Sequence, residues 1–333
     1  MDALKELLDV TRTMKIVKYK ENPILSAADV PYESVQTYNA GITKYRGRYV
    51  MAFRNDYNRK KEDFEKGYKP AKINIGLAFS DDGIKWHVER KPCFELKTDD
   101  ILYAYDPRLT VIDDRCYMCF AVGTLHGVRA GIAVTDDFSK FEILSMSVPD
   151  NRNMVLFPEK INGKFIRLER PFPVYGRREK EAFDIWISDS PDAAYWGNHK
   201  LLLGAESVAF SNSKIGPAAP PVKTAKGWLT TFHAVYKVER ELYAWHKDWH
   251  KVYFGGLMLL DLEDPSKIIG ICKYPILAPE LPYELVGMRG EVIFPGGMIL
   301  EDSGEVKIYY GSADTVECLA TADVDDLIKA CLE

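Results

Sequence analysis

Hydrophobic and polar positions along the chain form one outline that recurs five times. Each copy has an apolar run, a short polar turn, and then alternating apolar residues that end in something polar. Alternation with a period of two indicates a strand with one buried face, and glycine or aspartate at the turn is typical of a β-hairpin. The pattern therefore predicts five hairpins. Their turns are centred on Gly47, Asp114, Gly163, Gly227 and Gly304.

A second set of alternating apolar runs follows, one run after each hairpin, and each run closes with Ser, Thr or Asp turn chemistry. Units of three or four strands repeated in fixed order are the signature of a β-propeller. We therefore predict an all-β fold, a five-bladed β-propeller. A strand near residues 15–20 would complete the last unit and close the ring. The second-set runs begin at Ile73, Ala130, Phe183, Gly255 and Glu317.

The segment before the first strand has a different pattern. Residues 2–13 fit a short amphipathic helix with leucines on one side. A helix of this length is marginal alone, so we expect it to dock on the body of the protein or on another subunit. The predicted organisation is a helical extension over residues 1–14 and a single propeller domain over residues 15–333. A homo-oligomer is also predicted.

The propeller architecture predicts which polar residues meet. The first strand of each blade lines the central channel and its neighbour runs antiparallel, so one strand starts where the next one ends. Ionisable groups at this position are costly to desolvate unless something pairs with them, which points to a function. The predicted funnel gathers Asn39, Asp106, Asn153 and Lys214 from the first strands and Arg54, Arg170, His233 and Asp314 from the second ones.

Composition limits the partners and the compartment. With 44 Lys and Arg against 49 Asp and Glu, the net charge is −5, so we expect neither nucleic acid nor a membrane as partner. The six cysteines lack the spacing of a disulfide framework or a zinc site. His246 and His250 have an i, i+4 spacing but lack the glutamate of a zinc-binding HExxH motif, and no metal is predicted. No secretory signal or membrane span is visible, which predicts a cytoplasmic protein.

Seven short segments around the predicted funnel carry a resemblance to a known family. They are YNAGI and AFRND around Asn39 and Arg54, AYDPRLT around Asp106, LERP around Arg170, NSKIG around Lys214, FHAVY around His233 and YGSAD around Asp314. Together they make the chain resemble glycoside hydrolase family 130, the inverting β-mannoside phosphorylases. The resemblance implies a five-bladed propeller that cleaves the non-reducing terminal β-mannosyl residue with inorganic phosphate. The products would be α-mannose 1-phosphate and a shortened acceptor.

The chemistry of the residues agrees with a phosphorylase. An inverting glycosidase needs one carboxyl group as an acid and a second one as a base that activates water. Phosphate is already an anionic nucleophile, so a cationic cradle replaces the base. The funnel offers Asp106 as the acid, and Arg170, Lys214 and His233 as the cradle, because guanidinium and ammonium groups suit phosphate. Inorganic phosphate is the co-substrate, and no cofactor is expected.

Finer roles follow only from the family resemblance. It implies that Asp106 is the proton donor, acting through the 3-hydroxyl of the sugar. It also places Tyr243, and with less weight Tyr236, on the phosphate side of the site. The residues that would hold the mannosyl hydroxyls are Asn39, Arg54 and Asp314.

Several alternatives stay open at this level. Arg54 and Arg170 could be paired with the adjacent Asp56 and Glu169 instead of facing a substrate. A hydrolase of the same fold would use a second carboxylate in place of the cradle. A non-catalytic sugar-binding propeller would tolerate the loss of Asp106.

Substrate detail is also open. The favoured substrate is a β-1,4-linked mannooligosaccharide, with β-1,2-mannosides, mannosyl-glucose and mannosyl-N-acetylglucosamine as alternatives. Loops at residues 58–72 and 237–253 are the predicted walls of the acceptor site. Within the second loop, Trp245 or Trp249 could stack against an acceptor sugar.

Overall fold

The computed structural model describes residues 15–66, 71–172 and 182–333. Within these ranges the strands form five antiparallel sheets. The innermost strand of each sheet contacts that of the next sheet, and the fifth returns to the first. This arrangement is a five-bladed β-propeller, and it confirms the predicted fold. The helix predicted over residues 1–14 lies outside the described residues.

The strands of the first three blades follow the chain in order, after a short strand β1 (Val17–Lys18). Blade 1 contains β2 (Gln36–Tyr45), β3 (Arg48–Asp56), β4 (Ile73–Ser80) and β5 (His87–Val88). Blade 2 contains β6 (Ile101–Ile112), β7 (Arg115–Thr124), β8 (Gly127–Thr135) and β9 (Glu142–Met146). Blade 3 contains β10 (Asn151–Leu156), β11 (Phe165–Pro171), β12 (Ile185–Ser190) and β13 (Gly197–Leu203).

The last two blades depart from this regularity. In blade 4 the inner strand is split into two short pieces, and blade 5 borrows its outer strand from the N-terminal side of the chain. Blade 4 contains β14 (Ile215–Pro217), β15 (Val222–Lys223), β16 (Trp228–Lys237), β17 (Lys251–Leu260) and β18 (Ile268–Ile271). Blade 5 contains β19 (Ile293–Leu300), β20 (Glu305–Ser312), β21 (Val316–Asp323) and β1.

Strand β1 closes the ring as predicted. It pairs antiparallel with β21, where Val17 faces Thr321 and Lys18 faces Ala320. The Lys18 ammonium lies 2.8 Å from a carboxylate oxygen of the fully buried Glu284. Because the first and last parts of the described chain share one sheet, the ring of blades is held together by a strand ladder.

Three of the hairpin turns show why the sequence pattern was informative. The pairs Arg46–Gly47, Asp113–Asp114 and Asn162–Gly163 all have positive φ angles. Two successive residues in this region form the two-residue turn that matches the twist of the flanking strands. Glycine, asparagine and aspartate adopt it at low cost.

Three short α-helices and two 3₁₀ turns complete the described structure. The segment ECLATADVDDLI was predicted as a strand run, but β21 ends at Asp323, whose side chain caps a helix by accepting from the amide of Asp325 at 2.9 Å. That helix buries Leu327 and Ile328 against blades 4 and 5. The helices are α1 (Lys61–Glu65), α2 (Pro282–Leu285) and α3 (Val324–Leu332), and the 3₁₀ turns are Ala27–Asp29 and Ala205–Ser207.

Candidate active site

The inner strands of blades 1, 2 and 3 each carry a β-bulge at the same height. The residues at these bulges are Asn39, Asp106 and Asn153, with φ angles of 53°, 52° and 58°. Asparagine and aspartate tolerate this left-handed conformation better than other residues with side chains. A bulge re-aims a side chain out of the regular alternation. The bulges therefore re-aim these polar side chains, and those of Asn39 and Asp106 meet in a hydrogen bond.

Asp106 lies at the centre of one half of this site. Its Oδ1 accepts a hydrogen bond from Nδ2 of Asn39 at 3.1 Å and one from Nη1 of Arg54 at 3.3 Å. The Arg54 guanidinium also binds both carboxylate oxygens of Asp56, at 2.6 and 2.9 Å. The pairing with Asp56 considered from the sequence is therefore present, and the same guanidinium still reaches the predicted acid.

Asp314 joins this half of the site from blade 5. It lies in the turn between β20 and β21, with a φ of 50°, and its Oδ2 is 3.3 Å from Nη1 of Arg289. Burial raises the pKa of Asp314, while the charges of Arg289 and Arg54 act in the opposite direction. The negative charge of Asp106 raises the pKa of Asp314 further. The structure thus brings together the three residues predicted to bind the mannosyl group and the predicted acid, Asp106.

The other half of the site is cationic. Arg170 and His233 are buried, with 1% and 0% of their surfaces exposed. Nη1 of Arg170 lies 2.9 Å from Nε2 of His233. Since a guanidinium can only donate, Nε2 accepts and the imidazole is neutral, with its proton on Nδ1. Glu169, the other partner considered for Arg170, instead pairs with Arg167 at 2.9 Å.

Lys214 reaches the same half from the segment directly before β14. It is buried, and its ammonium lies 6.0 Å from the ring centroid of Phe183. Burial lowers the pKa of His233 well below its usual range, and the positive charges of Arg170, Arg152 and Lys214 lower it further. The three residues predicted for the cradle are therefore close enough for their charges to interact.

Arg152 is a site residue that sequence reasoning missed. It precedes the Asn153 bulge on β10 and pairs directly with Arg170 across the β10–β11 ladder. Burial lowers the pKa of Arg170 to about 9, and the charge of Arg152 is the next largest contribution. The charge of Asp106 acts in the opposite direction, which places the acid near the two guanidinium groups.

Buried polar groups without partners accumulate in this half of the site. Among the described residues, Nε of Arg152 has no hydrogen-bond partner, and neither have Nε and Nη2 of Arg170 or Nδ1 of His233. Buried donors are normally satisfied, and an unsatisfied charged donor costs several kcal/mol. An oxyanion placed here would accept from several of these donors at once. The arrangement can therefore hold an oxyanion beside the carboxyl group of Asp106.

The contacts of the two tyrosines predicted for the phosphate side do not test that assignment. Tyr243 is 41% exposed, and its ring faces the ammonium of Lys61 at 5.6 Å. Tyr236, on β16, packs at the edge of the hydrophobic core. Two other tyrosines lie beside the cradle. The ring of Tyr253 stacks 6.1 Å from that of His233, and the hydroxyls of Tyr253 and Tyr105 both interact electrostatically with Arg152.

The predicted loop walls come together from blades 1 and 4. Phe64 of α1 makes an edge-to-face contact with Trp245, with ring centroids 5.8 Å apart. Trp245 is half-buried, whereas Trp249 is buried and its indole N–H donates to the carbonyl of Gly290 at 2.8 Å. Trp249 therefore has a structural role, and the acceptor platform suggested for it is wrong. Trp245 keeps the exposed surface that stacking requires.

The paired histidines of the second loop do not share a helix. His250 Nδ1 donates to the carbonyl of Arg240 at 2.9 Å, and Nε2 of His246 accepts from Arg289 at 3.4 Å. In the part of the chain that the structure describes, no group of three or more His, Cys, Asp or Glu is arranged to hold a metal ion. None of the helices in the described ranges is long and apolar enough to cross a bilayer.

Comparisons with known proteins agree with this geometry. The sequence model of glycoside hydrolase family 130, described as beta-1,4-mannooligosaccharide phosphorylase, matches residues 6–333. The chain belongs to this family of mannoside phosphorylases, which confirms the resemblance and the predicted class of enzyme.

Individual relatives span nearly the whole chain. A beta-1,4-mannooligosaccharide phosphorylase of Ruminococcus albus is 32% identical over 327 residues, which cover 94% of this chain and 90% of the relative. A 1,2-beta-oligomannan phosphorylase of Thermoanaerobacter sp. is 31% identical, over 94% of this chain and 99% of the relative. The solved complex of a β-1,2-mannobiose phosphorylase from Listeria innocua with β-1,2-mannobiose has a TM-score of 0.81 at 27% identity. It covers 96% of this chain and 99% of that structure.

Proposed function

We propose that the protein cleaves the non-reducing terminal β-1,4-mannosyl residue of mannooligosaccharides by inverting phosphorolysis. The products are α-D-mannose 1-phosphate and an acceptor shortened by one sugar. Asp106 is the general acid, and Arg152, Arg170, Lys214 and His233 form the phosphate cradle.

The observation that carries this proposal is the pair of buried guanidinium groups of Arg152 and Arg170. They face each other across one ladder, and several of their donors lack partners among the described residues. Burying two like charges side by side is costly unless they are paired, and a bound anion would offset this cost beyond what Asp106 supplies. A hydrolase would instead need a second carboxylate to activate water. The neighbouring carboxylates of Asp56 and Asp314 are each paired with an arginine.

The proposed reaction needs one acid and no base. A phosphate oxygen attacks the anomeric carbon on the face opposite the leaving group while the glycosidic bond breaks, so the configuration inverts. The leaving oxygen takes a proton that originates on Asp106, directly or through the 3-hydroxyl of the sugar, and departs as an alcohol. Forked donors fix the position of phosphate when it binds. Less entropy is therefore lost on the way to the transition state than with a free anion.

The mannosyl group is assigned to the acidic half of the site. Asn39, Arg54 and Asp314 surround Asp106 and supply amide, guanidinium and carboxylate groups for sugar hydroxyls. The acceptor would leave toward the loops that carry Phe64 and Trp245. Tyr243 borders these loops, and its assignment to phosphate remains a prediction.

The linkage has a second candidate, cleavage of β-1,2-mannosides. Relatives with β-1,2 activity are nearly as similar to this chain as the β-1,4 enzyme, at 31% and 32% identity, and the solved β-1,2 complex shares the fold at a TM-score of 0.81. Parallel assays with β-1,4-mannobiose and β-1,2-mannobiose, each with and without phosphate, test both the reaction and the linkage. Release of mannose 1-phosphate from the β-1,4 substrate supports the proposal, whereas release only from the β-1,2 substrate would reassign the linkage.

We also propose a cytoplasmic location and a homo-oligomeric state. All six cysteines are unpaired thiols, and five of them are buried, which suits a reducing compartment. The oligomer rests on the predicted helix over residues 1–14. Deleting residues 1–13 and measuring the solution mass by light scattering tests it, because an unchanged mass would assign any assembly to another surface.

A further inference from the structure

The side chain of Arg108 connects four blades from within the channel. It is buried, its Nε donates to the carbonyl of Ala218 at 2.7 Å, and its Nη1 donates to the carbonyls of Asn39 at 2.9 Å and Pro107 at 2.6 Å. These carbonyls belong to the innermost segments of blades 4, 1 and 2. The guanidinium also stands 5.2 Å from the ring centroid of Phe294 in blade 5.

Two of the three carbonyls lie at the bulges that carry the active-site residues. Asn39 is itself a bulge residue, and Pro107 directly follows the bulge residue Asp106. A bulge interrupts the ladder and leaves backbone groups without their strand partner. Because Arg108 binds a carbonyl at each bulge, one rigid guanidinium fixes the positions of the two bulges relative to each other.

A second buried side chain holds the blade 1 bulge from blade 5. Glu317, on β21, is fully buried, and its Oε2 accepts from the amide of Ala40 at 3.1 Å. Burial raises the pKa of Glu317 to about 8, so the carboxyl group is mostly neutral at pH 7. The amide after Asn39 and the carbonyl of Asn39 are thus bound by two different side chains.

The backbones around the two bulges also approach each other closely. A Cβ atom on Gly41 would lie 2.6 Å from Cα of Arg108, and one on Gly311 would overlap Oδ1 of Asn39. A Cβ on Gly296 would overlap the carbonyl oxygen of Ala40. Blades 5, 1 and 2 therefore meet without side chains between them, which leaves the bulges little room to shift.

We propose that Arg108 is a positioning residue for the proton donor. By binding the carbonyls at both bulges it fixes Asn39 and Asp106 side by side, and Glu317 completes the support of the Asn39 bulge. This inference rests on the proposed function for the role of Asp106 as the acid, but the geometry it predicts can be measured without turnover.

The energetics argue for such a role rather than for packing alone. Burial lowers the pKa of Arg108, and the charge of Asp106 offsets this only in part. The hydrogen bonds of its guanidinium go to backbone carbonyls, and among the described residues its Nη2 has no hydrogen-bond partner. An apolar side chain would fill a channel at lower cost.

The test compares Arg108→Met and Arg108→Lys with the wild type in steady-state phosphorolysis. We expect Arg108→Met to lower kcat about 100-fold, the loss typical of a misplacement of about 1 Å. The KM for phosphate should change much less than kcat, because the side-chain hydrogen bonds of Arg108 go to backbone carbonyls and not to Arg152, Arg170 or His233. Arg108→Lys keeps a charged donor and should recover part of kcat. The matched control is Lys307→Met, which removes a buried charge bound to Glu301 at the far end of blade 5 and should leave kcat unchanged.

The Glu317 variants keep the inference testable if Arg108→Met does not fold. Glu317→Gln retains an acceptor for the Ala40 amide and should keep kcat, whereas Glu317→Leu should lower it. A folded Arg108→Met protein with wild-type kcat, or an equal loss in Lys307→Met, would overturn the proposal. So would a crystal structure of Arg108→Met in which Asn39 and Asp106 keep their bulges and their 3.1 Å contact. Absence of turnover in the wild type would instead contradict the proposed function.

Discussion

His233 accepts a hydrogen bond from Arg170 over 2.9 Å, and both side chains are buried. The bond fixes the imidazole as the neutral tautomer with its proton on Nδ1, because the guanidinium has no lone pair to offer. Nδ1 has no partner among the described residues. The histidine is therefore both a support for Arg170 and a further donor toward the cradle.

This arrangement predicts how stability depends on pH. The pKa of His233 is lowered well below 6.5 by burial and by the cations of the cradle. Neutral His233 contributes fully to the free energy of unfolding above its unfolded pKa of about 6.5. This contribution is lost as the pH falls below that value. The free energy of unfolding should therefore decrease between pH 6.5 and 5, with a contribution from this residue of up to about 1.4 kcal/mol per pH unit.

Denaturant unfolding at several pH values measures this slope. His233→Gln should show a flatter decrease than the wild type, because glutamine binds no proton in either state. His87→Gln, which changes an exposed histidine on β5, is the control and should keep the wild-type slope. Identical slopes in all three proteins would mean that His233 is protonated as readily in the folded state as in the unfolded one.

Phosphate should stabilise the folded protein through the cradle. An anion between Arg152 and Arg170 relieves their repulsion, and at 100 times its Kd a ligand adds about 2.7 kcal/mol. Arg170→Met should remove the phosphate-dependent rise in Tm, and it should raise the Tm measured without phosphate because it removes a buried charge. Thermal unfolding across a phosphate series measures both effects.

The matched control for that experiment is Arg167→Met. Arg167 is buried on the same strand as Arg170, but its charge is paired with Glu169. This variant should lower the Tm and keep the response to phosphate. A phosphate response that survives in Arg170→Met and disappears in Arg167→Met would move the anion site away from the proposed cradle.

Asp106→Asn should leave the fold intact and abolish turnover of mannooligosaccharides. The amide keeps the size of the side chain and an oxygen for Asn39 and Arg54, but it cannot donate the proton. We expect a loss in kcat of about 10³-fold, as for removal of a general acid. A 4-nitrophenyl mannoside, whose leaving group needs little protonation, should suffer a smaller loss. Full activity of the folded variant on mannobiose would show that another group is the acid.

Gly311→Ala should damage the site without touching an ionisable group. A Cβ at this position would collide with the amide oxygen of Asn39, so Asn39 must move away from Asp106. We expect kcat to fall by at least about tenfold, with a small change in the KM for phosphate. Gly197→Ala, where a Cβ meets open space, should behave like the wild type. Equal kinetics of the two variants would show that Asn39 does not determine the position of the acid.

Much of this architecture could be predicted from the sequence because turn chemistry marks the repeat. Asn39 and Asp106 both stand eight residues before the centre of their hairpin turn. Their equivalence follows from that spacing, and the structure places both at bulges with nearly the same φ angle. Cys116 and Cys119 stand three residues apart on β7, and they pack into separate hydrophobic clusters, as the period of a strand requires.

The same spacing explains why Arg152 was missed. In blade 3 the bulge residue Asn153 stands ten residues before Gly163, because two more residues separate the bulge from the two-residue turn, which closes through a bridge between Ile161 and Lys164. A frame of eight residues therefore does not reach this position. Asn153 was predicted for the funnel as a polar residue of a first strand, and Arg152 beside it was passed over. Comparison of the residues directly before Asn39, Asp106 and Asn153 would have revealed the position.

Other parts of the site could not be predicted from local pattern at all. Arg108 and Glu317 lie within ordinary strands, and their roles depend on carbonyls and amides that other blades bring near. Tyr243 and Trp249 lie in one long loop, where burial depends on contacts with blade 5 and α1 rather than on periodicity. Tertiary packing decides the burial and the contacts of these residues. The sequence pattern alone therefore does not distinguish between them.

The most direct measurement is phosphorus NMR of the purified protein with β-1,4-mannobiose, in the presence and absence of inorganic phosphate. If the buried guanidinium pair serves phosphorolysis, the signal of α-mannose 1-phosphate should grow from the first time point and depend on phosphate. Formation of the β-anomer would contradict inversion. Release of free mannose at the same rate without phosphate would contradict the phosphorylase and leave the pair of Arg152 and Arg170 without a role in the reaction.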